Sequence, residues 1–212
     1  LKDDQFLLAV NSINWVRIIG QICYYFYASL KTNQLREPLN FSVPTGNFGN
    51  VFACYSAYKM GMPLNKILVA VNDNNILHRF FSDNDYSRSK VSETLSPSMD
   101  ISIASNFERL LYDFYAERNS SICDQFYRNF PKTPINLEKH MWEKSKDLFM
   151  SYSVNDVSTV KSMKDTYAFY NYLIDPHTAV AIEAVDQINE KLNGNTLILS
   201  TAHPAKFPEI IK

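Results

Sequence analysis

Glycine is scarce in this chain of 212 residues, with only five, yet two of them stand three positions apart in the run Pro44, Thr45, Gly46, Asn47, Phe48, Gly49, Asn50. An average protein carries about 7% glycine, so two glycines retained so close together mark a backbone requirement. The run follows Leu39 to Val43, a short β-leaning stretch, and precedes Val51 to Met60, which is apolar at helical spacing. A strand, a loop and a helix in that order leave the first N–H groups of the helix unbonded and present the positive end of its dipole. Gly46 and Gly49 permit positive φ and close backbone approach, while Thr45, Asn47 and Asn50 add side-chain donors. Phosphate is the fitting guest. A plain turn with a glycine hinge is the simpler alternative, and the run is neither a Walker loop nor the dinucleotide fingerprint.

The rest of the chain alternates in the same sense. Residues 14 to 32 read as a helix, with Trp15, Ile18, Ile19, Ile22, Tyr25 and Phe26 spaced by three and four. Lys66 to Val71 reads as a buried parallel strand and residues 75 to 82 as a short helix. From Ser82 to Pro97 no apolar period survives, which predicts a surface loop open to motion. Ser105 and Glu108 have capping-box spacing and predict a helix start near 106. Helices are expected over 137–150 and 155–172. Asp175 followed by Pro176 is an N-cap with proline at the first helical position, and the helical period then runs from Ala179 to Leu192. Gly194 and Asn195 suit its end, and Thr196 to Leu199 is a last strand. The expected fold is α/β, a mostly parallel sheet flanked by helices, in one unit spanning residues 1–212.

Composition excludes several functions. With 46% hydrophobic and 20% charged residues the chain is neither a disordered tail nor a membrane protein. The longest apolar stretch, Ile18 to Leu30, contains Gln21 and Ser29 and falls short of a span. Lys2, Asp3 and Asp4 are no secretory leader, and a cytoplasmic setting is expected. A net charge of -1 with dispersed lysines argues against nucleic acid as a partner. Cys23, Cys54 and Cys123 are expected to be buried free thiols. His78, His140, His177 and His203 lack partners at ligand spacing, so no metal site is expected.

Two further constellations carry chemistry. Ser200 and Thr201 end the last strand just before His203 and Pro204, where a hydroxyl can close the strand or face a ligand. His177 is a candidate proton shuttle, although Asp175 and Pro176 beside it are what a helix start needs anyway. Asn14, Arg17, Ser105 and Asn106 are candidates for substrate contacts or for shaping the ligand pocket. The planar fork of Arg17 is suited to a carboxylate or phosphate, and helix capping or a surface ion pair is the plainer role for each.

The segment VPTGNFGNVFA (43–53) resembles the phosphate loop of the threonine synthase family, and six more stretches resemble the same family in the same order: NSINWVR (11–17), ILHRFF (76–81), SPSMDI (96–101), SNFERLL (105–111), DPHTAVA (175–181) and STAHPAKF (200–207). The resemblance covers nearly all of this chain but roughly the C-terminal half of a family member. It implies the tryptophan synthase β-subunit-like fold, type II among pyridoxal-phosphate enzymes, and conversion of O-phosphohomoserine and water to threonine and phosphate. It also implies that Thr45, Gly46, Asn47, Phe48, Gly49 and Asn50 hold the pyridoxal 5′-phosphate, and that Thr201, or else Ser200, faces its pyridine nitrogen. The lysine that forms the family's Schiff base precedes the matched region and has no counterpart here, Lys206 being read as solvated helix surface. The chain begins with Leu1, so an absent N-terminal part, an incomplete fold and an inactive isolated chain are expected. The rivals are another fold type II enzyme, a threonine dehydratase or cysteine synthase relative, and a non-catalytic remnant.

Overall fold

The computed structural model describes residues 11–115 and 121–211; the charged start at Lys2, Asp3 and Asp4 lies outside them. Four strands, β1 (Leu39–Pro44), β2 (Leu64–Val71), β3 (Phe149–Ser153) and β4 (Thr196–Ile198), form one sheet in the order β3-β2-β1-β4, and every neighbouring pair is parallel. Because side chains alternate across a strand, β2 feeds two cores at once. Ile67, Val69 and Val71 face one and Leu68 and Ala70 the other. The first face is covered by α1 (Trp15–Asn33), α2 (Gly49–Lys59), α3 (Ile76–Asp83) and α4 (Phe107–Tyr115). The second is covered by α8 (Pro176–Ile188), whose Ala181 and Ala184 let its backbone lie close to the sheet, and α7 (Asp156–Tyr170) packs beside it.

On β1 the alternation separates apolar from polar. Leu39, Phe41 and Val43 enter the larger core, while Asn40 and Ser42 point to the α8 side. Both polar chains are buried and bonded: Ser42 Oγ donates to the Ala181 carbonyl (2.8 Å) and Asn40 Nδ2 to that of Asn193 (2.8 Å).

Two sequence expectations change. The tail of the helix expected over 137–150 is strand: α6 covers Lys139–Ser145, and Phe149–Ser153 pairs with β2 instead. A strand of five residues gains its state from that ladder rather than from propensity. A helix not read from sequence, α5, covers Ser121–Asn129. Of the cysteines, Cys54 and Cys123 are buried as expected, but Cys23 is exposed on the outer face of α1. The stretch after Ser82 is a loop, pinned rather than loose: Ser92 N–H donates to Asn74 Oδ1 (2.8 Å), Asn74 Nδ2 donates to the Ser92 carbonyl (2.8 Å), and Leu95 N–H donates to Asp156.

Candidate functional site

The loop that opens the sequence argument lies at the C-terminal edge of the parallel sheet, where ligands bind in open α/β folds. Thr45 N–H donates to the Ala70 carbonyl (3.0 Å), which fixes the exit from β1. The chain turns through Phe48, the residue before α2, at φ 64°. Gly46 and Gly49 would permit a positive φ, yet neither has one. Phe48 tolerates this left-handed backbone because its ring is fully buried, stacked on Phe81 (6.3 Å) and edge-on to Phe107 (5.4 Å). Burying a phenylalanine is worth about 2–3 kcal/mol, more than the ~1–2 kcal/mol cost of a left-handed residue. Phe48 therefore anchors the loop in the core, and its ring does not line the pocket.

Gly46 is required for a different reason. A Cβ there would lie 2.7 Å from the Ser98 carbonyl oxygen and 3.0 Å from Met99 Cα, both backbone atoms. The segment Ser96–Asp100 thus seats directly on the loop. It is held from two sides. Asp100 Oδ1 accepts from Asn72 Nδ2 (2.8 Å), Asn74 Nδ2 (2.9 Å) and Thr94 Oγ1 (2.6 Å), while Ser98 N–H donates to His177 Nε2 (3.2 Å). Gly49 is looser, since its nearest neighbours to a Cβ are Gln21 Oε1 and Ile18 Cδ1 at 3.5 Å.

Behind the loop, Asn106 is completely buried and donates through Nδ2 to the carbonyls of Asn47 (3.0 Å) and Ser12 (2.9 Å). The Ser105 hydroxyl donates to Asn47 Oδ1 (3.3 Å) and lies 3.2 Å from that of Ser12. Ser105 is thus directed to the loop rather than to a capping box, and both residues brace Asn47 from outside the pocket. Asn14 is the N-cap of α1, accepting from Val16 N–H (2.9 Å), and is not at the pocket wall. Tyr25 ties the two helices, its phenol donating to the Asn50 carbonyl (2.7 Å); burial pushes that phenol well above its ordinary pKa.

The opposite rim is Thr201 to Phe207. β4 pairs with β1, Leu199 N–H donates to the Ser42 carbonyl (2.9 Å), and the chain then emerges so that both Ser200 and Thr201 are exposed. Thr201 lines the pocket; Ser200 sits aside, its Oγ 3.2 Å from Thr178 Oγ1. Lys206 and Phe207 complete this rim, with the Phe207 ring 4.9 Å from that of His177.

His177 is buried with both ring nitrogens engaged. Nε2 accepts from Ser98 N–H, which assigns the proton to Nδ1, and Nδ1 donates to Asp175 Oδ1 (2.9 Å). The ring is a strut between α8 and the Ser96–Asp100 segment, with no nitrogen left for the shuttle considered from sequence. Asp175 accepts in addition from the His177 N–H (2.9 Å) and from the Thr178 hydroxyl. Burial alone would raise its carboxyl, but these donors overrule it and hold the pKa below the ordinary value.

Between the rims lies a cavity of about 250 Å³ lined by Thr45, Gly46, Asn47, Gly49 and Asn50 on one side and Thr201 on the other. Arg17, Ser12 and Gln21 reach it from the α1 side. Sequence reasoning missed Ser12, Gln21, Ser98 and Met99. Gln21 stood one turn after Arg17 on the same helix face, the one signal available. Among the described residues no carboxylate lines the cavity, whereas Arg17, Lys206 and the N-terminus of α2 do, a lining whose charge suits an anion. A larger cavity, of about 460 Å³, lies by Trp15, Phe52 and Tyr112, but Glu108, Asp113 and Asp124 give it the opposite charge character.

A parallel sheet with a glycine loop at a helix N-terminus, and a hydroxyl across from it on a neighbouring strand end, defines a fold type II pyridoxal-phosphate scaffold, here a C-terminal portion of one. The family model described as the C-terminal part of threonine synthase matches residues 178–212. The threonine synthase of Pseudomonas aeruginosa is 42% identical over 206 residues, covering 97% of this chain and 44% of that protein. The crystal structure of a threonine synthase from Brucella melitensis with pyridoxal phosphate bound superimposes with a TM-score of 0.90 at 36% identity, covering 97% of this chain and 44% of that one. The yeast threonine synthase structure gives 0.88 at 38% identity, covering 96% and 44%. The chain is similar to the C-terminal portion of the threonine synthases and spans less than half of the length of these relatives.

The residues present fit the cofactor. The N–H groups at the start of α2 and the side chains of Thr45, Asn47 and Asn50 are donors of the kind a phosphate takes, and among the described residues no carboxylate lines the cavity to repel it.

Proposed function

We propose that this chain supplies the cofactor-binding portion of a threonine synthase, a pyridoxal-phosphate-dependent lyase that converts O-phosphohomoserine and water to threonine and phosphate. One observation carries the reading: an acid-free pocket in which the Thr45–Asn50 loop, the N-terminus of α2 and Arg17 converge opposite the Thr201 hydroxyl.

In this reading the N–H groups at the start of α2, with Thr45, Asn47 and Asn50, hold the cofactor phosphate. Pyridoxal phosphate supplies, when bound, an electron sink conjugated with the substrate's α-carbon. Thr201 meets the pyridine nitrogen with a neutral hydroxyl, which does not force that nitrogen to be protonated as a carboxylate would. Arg17, exposed at the mouth, holds an anionic group of the substrate through its fork. His177 and Asp175 keep the Ser98 wall in place. No residue of the chain is assigned the Schiff base, so turnover belongs to a polypeptide that also contains that lysine, and residues 1–212 act as one unit within it.

The test is phosphate release from O-phosphohomoserine by the full-length protein containing this sequence. Stoichiometric release of phosphate with formation of threonine is expected. A protein that binds the cofactor and turns over threonine or serine, but leaves O-phosphohomoserine intact, would move the reading to a dehydratase.

A further inference from the structure

Gln21 is the one residue of the pocket wall whose polar atom is buried without a partner among the described residues. It lies on α1 one turn beyond Arg17, and its neighbours Ile18 and Ile22 are packed in the core, so the stem of the side chain is held. The carboxamide reaches the start of α2: Oε1 would be 3.5 Å from a Cβ on Gly49. That distance places it against Gly49, the first residue of α2, the helix at whose N-terminus the phosphate of the proposed cofactor would sit.

A buried acceptor without a donor costs about 1–3 kcal/mol, so this orientation is unfavourable as it stands. It would be worse beside a phosphate, since an amide oxygen and a phosphate oxygen are both acceptors. The two ends of a carboxamide have nearly the same shape, however, and a half-turn about the last side-chain bond puts Nε2 where Oε1 lies, at no steric cost. The amide would then present two N–H donors to the anion, and the orphan acceptor would disappear from the wall.

We propose that Gln21 is a phosphate-binding residue of this site: its carboxamide turns to donate through Nε2 to the cofactor phosphate, and so helps the pocket distinguish a phosphorylated pyridine ligand from its unphosphorylated form. The inference rests on the phosphate reading of the Thr45–Asn50 loop and adds to it a donor from a different helix. Arg17 at the mouth and Gln21 within are then two levels of one α1 face, the outer one left for substrate and the inner one committed to the cofactor.

The experiment compares the affinities of the full-length protein containing this sequence for pyridoxine 5′-phosphate and for pyridoxine, which lack the aldehyde and cannot react with lysines. Equilibrium dialysis is carried out on the wild type, Gln21→Glu and Gln21→Met. The ratio of the two affinities is the readout, because loss of fold or of ring packing weakens both ligands in parallel. Gln21→Glu keeps the size and brings a negative charge against the phosphate; the preference for the phosphorylated ligand is expected to fall at least about tenfold, with pyridoxine unchanged. Gln21→Met keeps the bulk without a donor and is expected to reduce it by about threefold to tenfold. A wild type that prefers the phosphate, together with variants that keep the full preference, overturns the role of Gln21 and leaves the loop reading standing. A wild type with no preference overturns both.

Discussion

The two rims of the pocket are built to opposite specifications. The loop rim, Thr45 to Asn50, is fastened on every side: Phe48 is sunk in an aromatic cluster, Asn106 and Ser105 hold Asn47, and the Ser98 backbone seats on Gly46. The far rim, Ser200 to Phe207, hangs from a strand of three residues at the sheet edge and leaves Ser200, Thr201 and Lys206 exposed. Preorganisation is worth most where charge is bound, because fixed N–H dipoles then need no rearrangement when the anion arrives. In the proposed reading a ring nitrogen facing one neutral hydroxyl demands less, and a looser rim suffices there. The difference teaches that, if the loop holds the phosphate as proposed, the phosphate end is the anchor of this site.

The sharpest way to break that contrast is to crowd the fastened rim. Gly46→Ala places a methyl within 2.7 Å of the Ser98 carbonyl and 3.0 Å of Met99 Cα, and backbone on both sides leaves little room to relax. A loss of about 2–3 kcal/mol is expected in urea unfolding, together with loss of phosphate-ligand binding. Gly49→Ala is the control, because its Cβ would meet only ordinary van der Waals neighbours at 3.5 Å. It is expected to change stability by less than about 0.5 kcal/mol. Equal effects from the two substitutions would show that the Ser96–Asp100 segment yields, and that the loop rim is no stiffer than the other.

What the sequence made legible follows the same division. The strand, loop and helix around Gly46 were readable because two glycines survive in a chain that avoids them, and Asp175 and Pro176 because an N-cap and proline are local signals that the structure uses directly. β3 was not readable. Phe149–Ser153 becomes a strand only by lying against β2, 82 residues away at every register pair from Ile67 with Phe149 to Val71 with Ser153, an interaction no local window contains. The positive φ at Phe48 was hidden for a related reason: what stabilises it is the burial of a ring between Phe81 and Phe107, not anything in its neighbours. Ser105 and Asn106 were singled out as candidates for touching substrate or for shaping the pocket, and they hold Asn47 from one layer back; residue type alone does not separate a group that touches a ligand from one that holds the loop touching it.

A second prediction concerns the strut that loads the fastened rim from α8. The Asp175 carboxyl has a pKa below its ordinary value in the fold, so ionised Asp175 contributes stability above the ordinary value of 3.8, and that contribution is withdrawn as pH falls through the folded value. Asp175→Asn still caps α8 but no longer titrates. At neutral pH it is expected to cost about 1 kcal/mol, from the charge-assisted bonds to His177 and Thr178. Its stability should then vary less than that of the wild type below pH 4. Parallel pH profiles for the two proteins would show that the Asp175 to His177 bond carries no load, and that Ser98 is held by the Asp100 knot alone.

The smallest effect on stability is expected at the far rim, where the choice between two hydroxyls is still open to measurement. Thr201 lines the pocket and is exposed, whereas Ser200 lies 3.2 Å from Thr178 and so belongs to the network around Asp175. Thr201→Ala is therefore expected to leave unfolding within about 0.5 kcal/mol of the wild type. It should weaken pyridoxine and pyridoxine 5′-phosphate alike by about threefold to tenfold, as one neutral hydrogen bond would. Ser200→Ala should do the reverse, a slight loss of stability with both affinities kept. If Ser200→Ala is the substitution that weakens the ligands, the ring nitrogen faces Ser200, and the hydroxyl that meets it is one oriented by Thr178 and Asp175. The far rim would then be as firmly braced as the loop, and the contrast between the two rims would disappear.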